Sequence, residues 1–434
     1  MLFASFLFLA ASPSYQSEIR PLFEKHCTGC HNSASKAAGL DLSSHTEAAT
    51  GGRRGSAWVA GNPEDSITIQ YVIGALQPRM PLGRAALTEA EIKILREWIR
   101  AGAKDDSSAA TEESKATVYQ QPPVINSLRF SPDGKHLAVS GNREILIHPL
   151  AGNQPPQRLQ GKAERILSLA YSKDGQLLVA GGGTPARFGE VQIWDTQTGK
   201  MLRSMTLTND TLFGASLAPD SSRIAVGAAD NTIHVFDTAT AKELYKIGNH
   251  EDWVLATVFG VDSKRFVSVS RDRAAKINDA ASGAFLENAN QLKTELYALA
   301  RHPSKDIIVI GGEDRYPYVY LLDRARNMKI ADDSTLVRRI DRQDGPIAAL
   351  DWSPDATKIA VAGGSAKVNL YDAATGKLAA TCSGHAAGIY SVAFSPDSLT
   401  LATGGFDGKV RLYNTSDCSL IREFIPVPIT GAAK

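Results

Sequence analysis

Two periodicities divide the chain. From about Ser17 to Ala103 apolar residues recur at helical spacing, and beyond about residue 124 they alternate as in half-buried strands. In SEIRPLFEKHC, Ser17 is placed to cap a helix and Pro21 falls in its first turn, where a missing N–H costs little. Ile19, Leu22, Phe23 and His26 then share one face. In TEAEIKILREWIRAGA, Thr88 and Glu91 have capping-box spacing, and Ile92, Leu95 and Ile99 form a stripe flanked by Ile94 and Trp98. Gly102 suits the stop. Two amphipathic helices therefore bracket a middle punctuated by Gly and Pro, where Ser66 is expected to cap a short helix running to Ile73.

Residues 105–123 turn polar and small, then proline-punctuated, which predicts a linker. After it one phrase returns seven times: an alternating strand, a turn such as SPDG, a second strand, a Gly/Asp turn and two more strands. INSLRFSPDGKHLAVSG, ILSLAYSKDGQLLVAGG and IYSVAFSPDSLTLATGG are three examples. A period of ~40–45 residues with four strands per repeat is the mark of propeller blades, and seven lies within the ~4–8 blades that close a ring.

A formal net charge of +1 gives no electrostatic drive toward nucleic acid or an anionic membrane. At the N-terminus, Leu2–Ala11 are apolar or small and are followed by Ser12, which reads as a signal peptide over residues 1–14, although no Lys or Arg precedes Arg20. No later segment is long and apolar enough for a membrane helix, so the mature chain is expected to lack an integral span.

Two of the four cysteines stand in HCTGCH, residues 26–31. CxxCH is the attachment motif for c-type haem. Two thiols about one helical turn apart can each add to one vinyl group, and the next residue then offers an imidazole to the iron. Gly29 leaves backbone room beside such a group. The alternatives are half a zinc site with two further ligands, for which His26 and His45 are the nearby histidines, or a redox dithiol. For the sixth iron position the mature helical segment holds one methionine, Met80, in LQPRMPLGRA, where Pro78 and Pro81 discourage helix and favour an extended loop. The competing reading is a methionine filling a core gap. His45 is the fallback ligand and His26 a poorer one. Trp98 is read as core in preference to haem edge. Arg53, Arg54, Arg79 and Arg84 are candidates for the propionates, with a solvated surface as the alternative. Cys382 and Cys418 are left open between free, paired and merely buried.

IRPLFEKHCTGCH, GLDLSS (39–44), GNPEDS (61–66), RMP (79–81) and LREWIRAGA (95–103) together resemble the cytochrome c domain of planctomycetes and related bacteria. That resemblance implies covalent haem c on Cys27 and Cys30 with His31 and Met80 as axial ligands; Leu82 departs from the usual second proline. Residues 124–428 resemble the WD40 family. Trp194-Asp195 is the literal pair, Phe236-Asp237, Leu322-Asp323 and Tyr371-Asp372 take the same place, and GNH (248–250) and SGH (383–385) resemble the family's GH. His385, Thr403 and Asp407 fall where the family builds a hydrogen-bonded tetrad, with Tyr413 and, in the fourth repeat, Asn278 where Trp is usual.

The expected fold is a small all-α cytochrome c-like domain (15–104), then an all-β seven-bladed WD40-type propeller (124–428) and a short tail (429–434). The expected function is single-electron transfer by one covalent haem c in an extracytoplasmic or periplasmic protein, with the propeller docking a redox protein or other protein. A catalytic propeller fed by the haem, or a haem-bearing scaffold or sensor, are the alternatives; no GxSxG, HExxH or P-loop pattern occurs. Arg187, Arg271, Arg273 and Arg315, in turns between second and third strands, are candidates for a locally basic face offered to a partner, with scattered solvated arginines as the alternative.

Overall fold

The structure, a computed structural model, describes residues 12–32, 35–105, 117–152, 154–291, 293–322 and 333–429. Most of the expected signal peptide and linker, Asp323 and residues 430–434 lie outside the described residues. The chain divides into two compact units, Met1–Lys115 and Ala116–Lys434.

The first unit is helical. A π-helical turn, Tyr15–Ile19, leads into α1, Arg20–His26. The cap is Ser14, whose hydroxyl accepts the Ser17 N–H at 3.1 Å, while Glu18 accepts the Ser14 N–H at 2.8 Å. The expected cap Ser17 is thus one turn inside, because the wider π turn starts the helix earlier. Helix α2 is His45–Thr50 and α3 is Ile67–Val72. Ser66 stands at the N-cap of α3 but makes no capping bond. Its buried hydroxyl instead accepts from Val59 N and donates to Asn62 O, so it ties down the preceding loop. Helix α4, Glu89–Arg100, has the expected capping box of Thr88 with Glu91, and Gly102 adopts φ +102° just past its end. Ile92, Leu95, Trp98 and Ile99 pack with Tyr15, Ile19 and Phe23 in one core.

The second unit is β throughout. Its 27 strands among the described residues form six antiparallel sheets, the first of seven strands and the others of four. One long strand, Gln157–Tyr171, makes the first sheet large. It pairs through one end with Asn142–Ile147 and through the other with Gly183–Leu178, so two repeats share it. Expected separate blades one and two are therefore hydrogen-bonded together.

The repeated aspartates are turn residues. In the SPDG-type turns Ser131, Ser172, Ser353 and Ser395 hydroxyls donate to Asp133, Asp174, Asp355 and Asp397 at 2.5–2.6 Å. Those bonds, with the backbone N–H two residues after the aspartate, hold the carboxyls of Asp133, Asp174 and Asp397 below their usual range. The tetrad residues also meet. His385 lies 2.7 Å from the Thr403 hydroxyl and 3.1 Å from Asp407, and Tyr413 replaces Trp by donating to Ser383 O at 2.9 Å. In the fourth repeat His250 contacts Asp272 and Ser268, and Asn278 accepts from Asn249.

First and last sheets share an apolar cluster that includes Leu128, Phe130, Ala393 and Leu412, and Leu128 N donates to the Ser391 hydroxyl at 2.9 Å. Residues 117–121 add no named strand; Tyr119 makes a single parallel bridge to Ile429. Cys382 and Cys418 form a disulfide between the last two sheets. No helix among the described residues is long and apolar enough to cross a membrane.

Candidate functional site

Helix α1 delivers the cysteine pair. Beyond its last residue, His26, the Cys30 and His31 N–H groups return to Cys27 O at 3.1 and 3.0 Å, so Cys27–His31 winds as one further turn. Cys27 is half-buried against the helical core and Cys30 is exposed; neither is bridged. Burial pushes the Cys27 thiol up to about 12. His31 Nδ1 lies 3.0 Å from Ala37 O. A neutral imidazole donating that N–H keeps its lone pair on Nε2, the orientation an axial ligand needs.

Helix α3 carries the other side. Met80 follows it in a loop flanked by two cis peptides, Gln77–Pro78 and Met80–Pro81, and its N–H donates to Tyr71 O at 3.1 Å. The turn Gly51–Gly55 reaches over with Arg53 and Arg54. Gly51 has φ +77°, and a Cβ there would lie 2.3 Å from Gly55 O, so the turn requires glycine. Arg54 bonds to the Tyr71 hydroxyl and sits over its ring at 5.5 Å.

These elements surround one cavity of about 380 Å³, lined mainly by apolar side chains, onto which Cys27, Cys30, His31 and Met80 all open. Its size suits a flat organic cofactor, since such pockets commonly run ~300–1,000 Å³. Two thiols, an imidazole with one nitrogen already committed, and a thioether are the donor set of covalently held, axially ligated haem. Among the described residues no carboxylate lines the cavity, whereas Arg53, Arg54 and Arg84 do. The residues present fit the group.

The fallback ligands do not converge on that set. His45 Nε2 lies 2.8 Å from Ala103 O, and its ring packs among Tyr15, Trp58 and Trp98, away from the cavity lining. His26 touches the cavity, but its Nε2 is 3.0 Å from Glu91, whose carboxyl is held far below the usual range by the Thr88 N–H, Lys25 and His26. Among the described residues no group of three or more His, Cys, Asp or Glu is arranged to hold a metal ion, so the two cysteines gain no further zinc ligands. Trp98 is core, its indole N–H donating to Lys104 O. Arg79 turns its Nε to Val72 O at 3.3 Å and does not line the cavity.

Sequence reasoning missed two partners. Tyr71 gives no signal beyond an aromatic in a short helix. Gly29 lines the cavity as expected, and the Arg84 guanidinium lies beside it, 3.3 Å from where a Cβ would stand.

In the β unit the expected basic face is mixed in charge. Arg187 and Arg273 are exposed, but Arg271 lies 3.7 Å from Asp252 and 3.4 Å from Glu295, and over the Trp253 ring at 4.8 Å. Neighbouring acids follow from the same Asp/Glu-rich loops that join the repeats.

Repeated four-stranded β units with His–Asp–Ser/Thr bonding in one unit, and a helical Cys-x-x-Cys-His cavity in the other, define a WD-repeat protein with a cytochrome c-type domain. Residues 27–81 match the family described as Planctomycete cytochrome C, a span holding both cysteines, His31 and Met80. Residues 114–148, 199–237 and 376–414 match "WD domain, G-beta repeat", and 299–393 match "Anaphase-promoting complex subunit 4 WD40 domain". The chain is a Planctomycete cytochrome C domain fused to WD40 repeats. Curated relatives include "Transcription factor unc-37" of Caenorhabditis elegans, 30% identical over 49% of this chain and 34% of that protein. "Protein groucho" of Drosophila melanogaster is 24% identical over 56% of this chain and 31% of its own length. "WD repeat-containing protein 1" of Rattus norvegicus is 22% identical over 56% and 33%. The chain thus spans about a third of the length of each of these relatives.

Proposed function

We propose that this protein is a c-type cytochrome that carries one covalent haem for single-electron transfer and uses its WD40 repeats to dock a protein partner. The carrying observation is the convergence of Cys27, Cys30, His31 and Met80 on one apolar cavity. Cys27 and Cys30 would hold the macrocycle, and His31 and Met80 would flank the iron. When bound, the group supplies a one-electron couple whose potential a thioether ligand raises. The chain's own residues do the rest: Ala37 O fixes the His31 tautomer, α3 holds the Met80 loop, and the apolar lining excludes water.

Counting the shared strand Gln157–Tyr171 in both its repeats gives seven four-stranded units, and we assign them to a seven-bladed ring. The common core of first and last sheets supports closure. The redox partner is placed on this ring by the general use of WD40 repeats in protein–protein contact. An extracytoplasmic address is supported by the apolar leader and by the Cys382–Cys418 disulfide, a bond that oxidising compartments favour.

The test is to produce the full chain with haem-attachment machinery, then measure mass and spectra with and without carbon monoxide. One added haem, lost in C27S/C30S, and a closed spectrum with the weak near-infrared sulfur–iron band are expected. A mature chain without the added mass would end the proposal.

A further inference from the structure

Two loops must be held at a fixed separation if one iron is to meet both His31 and Met80. On the α3 side the Met80 loop is anchored twice, by Met80 N to Tyr71 O at 3.1 Å and by Arg79 Nε to Val72 O at 3.3 Å. On the side of the attachment turn the contact is Arg84. Its backbone closes the turn after Met80, with the Arg84 N–H reaching Pro81 O at 3.4 Å and Gly83 at φ +68°. Its guanidinium then lies across Gly29, in the middle of Cys27–His31. One terminal nitrogen is 3.3 Å, and the central carbon and other terminal nitrogen are 3.8 Å, from where a Gly29 Cβ would be.

Gly29 itself shows why this contact matters. Its φ is not in the left-handed region, so its backbone conformation is open to any residue. What a larger side chain meets there is the tip of the exposed Arg84 side chain, which has to give by a few tenths of an ångström to admit it. No ion pair claims Arg84 among the described residues, as none claims Arg53, Arg54, Arg79 or Arg100 of the same unit, so a carboxylate does not hold its guanidinium elsewhere.

We propose that Arg84 is a positioning residue: its guanidinium, lying beside Gly29, latches the Met80 loop to the turn that carries His31 and so keeps the sulfur within reach of the iron. This inference rests on the haem reading above. Gly29 and Arg84 then act as one device. A methyl group at residue 29 lifts the guanidinium, and loss of the guanidinium frees the loop, so the two changes have the same consequence.

The experiment is a double-mutant cycle of Gly29→Ala and Arg84→Ala in the full chain, with Arg84→Lys as the conservative variant. Its readouts are added haem mass, the sulfur–iron band, carbon monoxide affinity and the melting temperature. Haem mass stays at one per chain in every variant. Carbon monoxide affinity rises about fivefold or more in R84A and by a similar factor in G29A, with the band weakened in both. The double variant matches R84A within about twofold, because the methyl has nothing left to displace. R84K falls between wild type and R84A, since an ammonium keeps the charge without the breadth of the guanidinium. Independent, multiplying effects of the two substitutions, or an R84A protein as closed as wild type, overturn the latch. A wild-type protein without haem mass overturns the haem reading and the latch with it. Haem mass with a wild type that already binds the gas freely removes Met80 ligation, and therefore the latch, while leaving covalent attachment standing.

Discussion

The Tyr119 hydroxyl donates to Glu144 Oε1 at 2.7 Å, and Arg158 grips both oxygens of that fully buried carboxylate with two bonds of 2.7 Å, one of them to the same Oε1. Arg158 also donates to Thr117 O at 2.8 Å, so one buried carboxylate fastens the segment entering the β unit. Hydrogen bonding to Glu144 comes after burial among the causes that push the Tyr119 phenol far above its usual value. Y119F is expected to destabilise the β unit by about 1–2 kcal/mol. E144A, which strands Arg158 beside a void, is expected to cost about 3–5 kcal/mol. Urea unfolding of both variants checks the order; equal costs would contradict a hub at Glu144.

The disulfide joins residues 36 apart in sequence and pins one sheet to the next. Cross-linking a loop of that length is expected to stabilise by about 2–4 kcal/mol. C382S/C418S should unfold at lower urea than the oxidised protein, and a thiol reductant should bring wild type to the same midpoint. A reductant that leaves the wild-type midpoint unmoved would show that the bridge does not form in solution.

His148 bonds to Pro426 O at 2.9 Å and packs against Phe424, linking the first sheet to the segment after the last. Burial, opposed by the Pro426 bond and reinforced by the Arg422 charge, lowers its pKa from 6.5 to about 4. The folded protein therefore resists a proton that the unfolded chain accepts. Stability from this group is intact above pH 6.5 and is lost as pH falls toward 4, amounting to on the order of 2–3 kcal/mol. H148Q keeps a donor for Pro426 without the titration. Between pH 7 and pH 4.5 it should lose less stability than wild type, measured by urea midpoints.

His45 and Met80 separate packing from ligation. H45A should lower the melting temperature, as the ring lies between Tyr15, Trp58 and Trp98, yet leave the haem spectrum and gas resistance unchanged. M80A should keep the haem mass and open the site to carbon monoxide. The reverse pattern would make His45 the ligand.

Much of this was legible in the chain. The switch of period from helical to alternating separates the units, the α4 capping box stands where Thr88 and Glu91 place it, and CxxCH with a proline-flanked Met80 points to four residues that open onto one cavity. What stayed hidden was tertiary. Ser17 and Ser14 are both good caps, and only the π turn decides between them. Nothing in the spacing of Cys382 and Cys418 states that two sheets bring them together. Arg84 reads in the sequence as one of four propionate candidates, and only the structure brings it beside Gly29, while Arg271 looks basic until Asp252 and Glu295 arrive from neighbouring loops.

The strand Gln157–Tyr171 leaves the first two repeats without a hinge. Elsewhere a loop lets one sheet open while its neighbour holds. Here fraying at one end tugs directly on the hydrogen-bond ladder of the next repeat, so amide protons in both should exchange with deuterium as a single block. This is also the part of the β unit nearest, along the chain, to the cytochrome domain.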